Sequence, residues 1–136
     1  MTDPGPGRWQ TGWNEVVISL GAQRLWAYEG EELVLTTFVS TGTAETPEVV
    51  TPVGQWRILV KLPVETMIGT ANGEPYRVED VPYVMYFTDE GHALHGTYWH
   101  NSFGTPMSHG CVNLPLDVAS FLYTWAEIGT LVTVIG

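Results

Sequence analysis

Cysteine is almost missing from this chain, which has one, Cys111, in 136 residues. A lone thiol excludes an intrachain disulfide, so the fold rests on its core, and the thiol is a candidate nucleophile unless burial makes it inert. Cations are scarce as well: five Lys and Arg face fifteen Asp and Glu, for a formal charge of -10. A surface so acidic repels a phosphate backbone, which excludes nucleic acid as a partner. All five cations (Arg8, Arg24, Arg57, Lys61, Arg77) precede residue 78, so an anion bound further on is held by backbone or neutral groups. No apolar run approaches the ~18–20 residues of a membrane-spanning helix. The opening Met1-Thr2-Asp3-Pro4-Gly5-Pro6-Gly7 has no basic n-region and no apolar h-region. It reads as a linker remnant or N-terminal extension over residues 1–14, leaving room for a signal peptide or membrane anchor upstream.

What is present suits one domain with a real core, since 44% of the residues are hydrophobic. Val16–Leu20, Gln23–Tyr28 and Leu33–Ser40 read as strands separated by Gly21-Ala22 and by Glu29-Gly30-Glu31. Gln55–Leu62 gives one further strand, and Pro63–Val81, with Gly69, Asn72, Gly73 and Pro75, reads as a long loop suited to be a lid. Tyr83–Phe87 and His92–His95 flank Thr88-Asp89-Glu90-Gly91 as a hairpin, with His95 at a strand end. Leu116, Ala119, Leu122 and Ala126 recur at helical spacing between Pro115 and the stop signal Gly129, and Leu131–Ile135 returns as a strand. Many short strands with one late helix imply a mainly β, sandwich or barrel-like domain. Trp13, Trp26, Trp56, Phe121 and Trp125 are expected in the core.

Chemistry concentrates between His95 and Leu114, which hold three of the four His and the only Cys. A cysteine attacks as thiolate, and with no Lys or Arg nearby an imidazolium from His95 or His109 is the available means of lowering its pKa. In-line approach to the sulfur is easier from another strand, which favours His95. A base also needs its second ring nitrogen anchored. No carboxylate lies between residues 91 and 116, so a backbone carbonyl is the expected acceptor, and Gly96 can bend to offer one. Gly110 permits a tight turn whose N–H groups, that of Cys111 included, can face an acyl oxyanion. His92, His95, His100 and Cys111 are also zinc-ligand types, but their spacing follows no zinc pattern; no metal or cofactor is expected, and His92 and His100 read as surface or supporting residues.

Ser108-His109-Gly110-Cys111-Val112-Asn113, preceded by His95-Gly96-Thr97, resembles the signature of the YkuD-type L,D-transpeptidase catalytic domain, and residues 15–136 match the domain's hairpin-rich layout. The resemblance implies a Cys111 nucleophile, a His95 base and the Gly96 carbonyl as third member. It implies that His109 and Gly110 shape the oxyanion pocket, that Ser108 and Asn113 brace the motif turn, that Trp99 and Tyr83 contact substrate, and that Pro63–Val81 caps the site. Relatives with Arg at position 113 use it for a substrate carboxylate; here Asn113 stands there, so Arg57 or Arg77 is expected to take that part. The implied reaction cleaves the bond between the third residue and D-Ala of a peptidoglycan tetrapeptide stem through a Cys111 thioester, then passes the acyl group to an amine as a 3→3 cross-link. Water as acceptor would make it an L,D-carboxypeptidase, and a non-catalytic wall-binding module is the alternative from another class. Carbapenems are expected to acylate the same thiol, the site of action is extracytoplasmic, and any membrane attachment runs through an upstream anchor.

Overall fold

A computed structural model describes residues 3–7, 14–43, 50–71 and 73–136. Its strands are β1 (Asn14–Ser19), β2 (Arg24–Glu29), β3 (Glu32–Phe38), β4 (Gly54–Arg57), β5 (Val60–Ala71), β6 (Glu74–Tyr86), β7 (Ala93–Gly96), β8 (Val112–Leu114) and β9 (Leu131–Ile135), with one helix, α1 (Leu116–Trp125). They form a five-stranded sheet in the order β3-β2-β1-β9-β4 and a four-stranded sheet in the order β5-β6-β7-β8. The fold is mainly β, as the sequence pattern implies. Trp13 and Arg8 lie outside the described residues.

The core sits between the inner faces of the sheets and α1. Strand alternation puts Val16, Ile18, Leu25 and Ala27 on one side of the first sheet, where they meet Val132, Val134, Leu94, Val112 and Leu114. The opposite face is buried too, with Val17, Trp26 and Tyr28 clustered on it. A sheet covered on both faces needs apolar residues at consecutive positions, which is why Val16-Val17-Ile18 does not alternate with polar residues. Residues 3–7 lie against that outer face: Tyr28 Oη donates to Pro4 O at 2.8 Å and accepts from Gly7 N–H at 3.0 Å.

α1 turns Val118, Ala119 and Leu122 inward. Phe121 falls on the outer face, 43% exposed and stacked on Trp125, and is not the core residue expected. Trp26 is buried, while Trp56 and Trp125 pack at the margin of the core.

Two expectations are corrected. Gln55–Leu62 is not one strand, because the chain changes sheets in its middle. Ile58 N–H donates to Thr130 O beside the first sheet and Leu59 N–H to Tyr86 O in the second. Pro63–Val81 is not a loop: β5 and β6 pair antiparallel from Val60↔Tyr86 to Ala71↔Glu74. β5 is an edge strand, where Pro63 costs no ladder hydrogen bond. Gly73, at φ 79°, takes the left-handed conformation that a tight hairpin turn favours.

Candidate active site

β7 and β8 run parallel as neighbours, in the register Leu94↔Val112, His95↔Asn113 and Gly96↔Leu114. A parallel pair brings residues far apart in sequence side by side, so His95 and the Ser108–Asn113 motif share one pocket. Its lining includes Cys111, His95, His92, Trp99, Ser108, His109, Gly110 and Asn113, with Met67, Tyr76 and Val78 from the β5–β6 hairpin. The hairpin therefore stands beside the site, as strands.

His95 is 2% exposed, and its Nδ1 lies 2.9 Å from Gly96 O. A carbonyl only accepts, so Nδ1 carries the proton and Nε2 keeps its lone pair. Burial, partly offset by the Gly96 carbonyl and assisted by nearby His100, lowers the His95 pKa to about 4. Burial pushes the Cys111 thiol up to about 11; the Ala93 N–H opposes this and the Glu65 carboxylate adds to it. At neutral pH both groups are uncharged. Burial thus disfavours the charged forms of both the thiol and the imidazole that share this pocket. Cys111 Sγ–H is turned to Gly91 O at 3.7 Å.

The motif turn is held from several sides. Gly110 has φ 122°, a left-handed conformation that disfavours any side chain, although a Cβ there would meet the His92 ring only at an ordinary contact distance of 3.4 Å. The Ser108 hydroxyl donates to Cys111 O and accepts Gly110 N–H. That commits the Gly110 N–H within the turn and leaves the Cys111 N–H as the motif's candidate oxyanion donor. The His109 ring lies tilted against that of Tyr76 of β6, ring centroids 4.3 Å apart. Asn113 is 1% exposed and exchanges backbone hydrogen bonds with Ser40.

Two supporting threonines escaped sequence reasoning, and His92 also supports the site. Buried Thr51 accepts Gly42 N–H at 2.9 Å and donates to Gly110 O at 2.7 Å. The Thr41 carbonyl accepts both Met107 N–H and Ser108 N–H. His92 contacts the Thr88 hydroxyl at 2.8 Å through Nδ1. For the two threonines no local pattern marks the role, because the motif-side groups they hold, at Gly110 for Thr51 and at Met107 and Ser108 for Thr41, lie far along the chain.

Trp99 lines the pocket with its ring centroid 5.7 Å from that of His95. Tyr83 lies elsewhere, packed on Tyr123 of α1 at 5.6 Å between ring centroids, and is not a pocket residue. Arg57 and Arg77 are also away from the site. Arg57 bonds Gly129 O on the first sheet, and Arg77 pairs with Glu79 at 3.1 Å. Strand alternation explains Arg77: Tyr76 and Val78 face the pocket, so the residue between them faces out. Among the described residues the pocket lining holds no Lys or Arg, and no group of three or more His, Cys, Asp or Glu is placed to hold a metal ion.

The family model of the YkuD L,D-transpeptidase catalytic domain matches residues 14–134, nearly the whole chain. The chain belongs to this family. An L,D-transpeptidase from Mycobacterium smegmatis superposes with a TM-score of 0.82 at 26% identity, covering 91% of this chain and 59% of its own. A Cys-to-Ser mutant of the Enterococcus faecium L,D-transpeptidase gives 0.82 at 30% identity, covering 91% and 50%. An L,D-transpeptidase in complex with imipenem gives 0.81 at 25% identity, covering 90% and 59%. This L,D-transpeptidase domain thus spans between half and three-fifths of those chains. No curated protein matches in sequence.

Proposed function

We propose that this domain is a cysteine acyltransferase, an L,D-transpeptidase acting on peptidoglycan tetrapeptide stems outside the bacterial membrane. The observation that carries the reading is the buried His95, its Nδ1 fixed on Gly96 O and its Nε2 lone pair free, in one pocket with the chain's only thiol. Because thiol and imidazole are both neutral at rest, deprotonation accompanies attack. Sγ leaves Gly91 O, Nε2 takes its proton, and sulfur bonds the carbonyl carbon of the third stem residue. The Cys111 N–H faces the developing oxyanion. The imidazolium then returns its proton to the departing D-Ala nitrogen, leaving a thioester. An amine of a second stem attacks the thioester, Nε2 accepts the amine proton, and collapse releases a 3→3 amide and restores the thiol. The exposed Trp99 ring flanks the base and provides a face for the stem.

Imipenem acylation follows from the same chemistry, and the imipenem complex of a relative supports it. Intact-mass spectrometry after incubation with imipenem is the test. One adduct per chain is expected, absent in Cys111→Ala and in His95→Ala, with both variants keeping the folded circular-dichroism spectrum. A folded wild type that forms no adduct and turns over no disaccharide-tetrapeptide overturns the reading in favour of a wall-binding module. Product analysis on the tetrapeptide separates amine from water as acceptor.

A further inference from the structure

His100 follows the base by five positions, and the mechanism above leaves it unused. Both of its ring nitrogens are engaged. Nδ1 accepts Ser102 N–H at 3.0 Å, and Nε2 lies 3.0 Å from the side-chain amide nitrogen of Asn113. The ring packs on Phe103, with centroids 5.1 Å apart. Asn113 is the register partner of His95 across the parallel β7–β8 pair and lines the same pocket as Cys111. Its Oδ1 is buried with no hydrogen-bond partner.

Counting protons decides how the two side chains meet. A neutral imidazole has one donor and one acceptor nitrogen. Ser102 N–H uses the acceptor at Nδ1, so the proton is on Nε2, and Nε2–H has to donate. An amide nitrogen facing it would set donor against donor. Turning the Asn113 amide by half a turn about its terminal bond exchanges oxygen and nitrogen within the same volume. Oδ1 then accepts from Nε2–H. This arrangement converts a repulsive encounter into a hydrogen bond and ties the loop carrying Trp99 to the strand that follows Cys111.

We propose that His100 is a positioning residue of the active site: by donating from Nε2 to the Asn113 side-chain oxygen, it holds the amide beside His95 and fixes β8 against the loop after the base. This rests on the assignment of Cys111 and His95 as the reacting pair. His100 acts through Asn113, and its neutral form is the one that serves, since protonation of Nδ1 removes the acceptor that Ser102 N–H needs. Burial is what lowers the His100 pKa, and the His100 ring in turn helps to hold that of His95 down.

Long-range 1H–15N NMR of the wild-type protein at neutral pH reads the tautomer directly. His100 protonated on Nε2 is expected, and a ring protonated on Nδ1 overturns the proposal. Acylation rates with imipenem then test the coupling. His100→Phe and Asn113→Ala are each expected to slow acylation by roughly three- to tenfold, the worth of a neutral hydrogen bond. The double variant is expected to match Asn113→Ala within about twofold, and His100→Gln, which keeps an N–H donor, to recover most of the loss. A double variant whose loss is the product of the two single losses, or a His100→Phe that reacts as fast as wild type, overturns the proposal. No adduct in the wild type counts instead against the nucleophile assignment, and the tautomer still decides the His100–Asn113 pairing.

Discussion

His95 donates from Nδ1 to the carbonyl oxygen of Gly96, the residue after it, across 2.9 Å. The side chain is anchored by its own strand, so no carboxylate is needed to select the tautomer. A carboxylate would also favour imidazolium, whereas a carbonyl in a buried site leaves the ring neutral with its pKa near 4. The base is therefore available well below neutral pH, and the cost falls on stability in acid.

That cost has a defined sign. Unfolded His95 titrates near 6.5 and folded His95 near about 4. Above pH 6.5 the ring is neutral in both states and contributes nothing. Between the two values the unfolded chain binds a proton that the native state does not, so stability falls as pH falls, by about 3 kcal/mol once the folded ring also titrates. Burial shifts His92 and His100 down as well, so their contributions have the same sign. Urea unfolding at pH 7.0 and 4.0 is expected to show this loss, with a shallower pH dependence in His95→Gln. Equal slopes in the two proteins would place the His95 pKa near its ordinary value.

The thiol gives the complementary result at the alkaline end. Burial raises Cys111 from 9.0 to about 11, so thiolate absorbance at 240 nm is expected to rise late, with a midpoint near 11. Iodoacetamide should label the native protein slowly at pH 7. A midpoint below 8 that moves upward in His95→Ala would instead reveal a thiolate–imidazolium pair at rest.

Arg57 and Arg77 provide a test by indifference. Arg57 bonds Gly129 O and Arg77 pairs with Glu79, both away from the pocket. Arg57→Ala and Arg77→Ala are expected to keep the rate of imipenem acylation within about twofold of wild type, as surface changes do. A tenfold loss in either would return that cation to substrate-carboxylate recognition.

The motif residues were legible because their chemistry is local: Gly96 follows His95, and Ser108, Gly110 and Cys111 hydrogen-bond within four positions. The β1–β2 and β6–β7 hairpins and α1 were legible for the same reason. The parallel β7–β8 pairing that gathers the site was not, since strand patterns carry no information about partners. Pro63–Val81 misled because Gly69, Pro63 and Pro75 weigh as loop signals until β5 is known to be an edge strand. The neutral resting pair was hidden as well, because residue types set ordinary pKa values and burial sets the shift.

Thr51 shows how much the motif turn owes to remote contacts. Its hydroxyl accepts Gly42 N–H and donates to Gly110 O, joining the 40–43 segment to the residue before the nucleophile. Thr51 is 1% exposed, so no water replaces either bond. Thr51→Val keeps the shape but leaves a buried N–H and a buried carbonyl unpaired, at about 1–3 kcal/mol for each group. The loss is expected in two measurements together: a lower urea midpoint, and acylation by imipenem slowed at least tenfold, because Gly110 at φ 122° depends on its neighbours to hold the turn. Thr51→Ser keeps the hydroxyl and is expected to recover the rate while losing only the packing of one methyl. A Thr51→Val protein that is destabilised yet acylated at the wild-type rate would show that the Gly110 turn holds its geometry without Thr51.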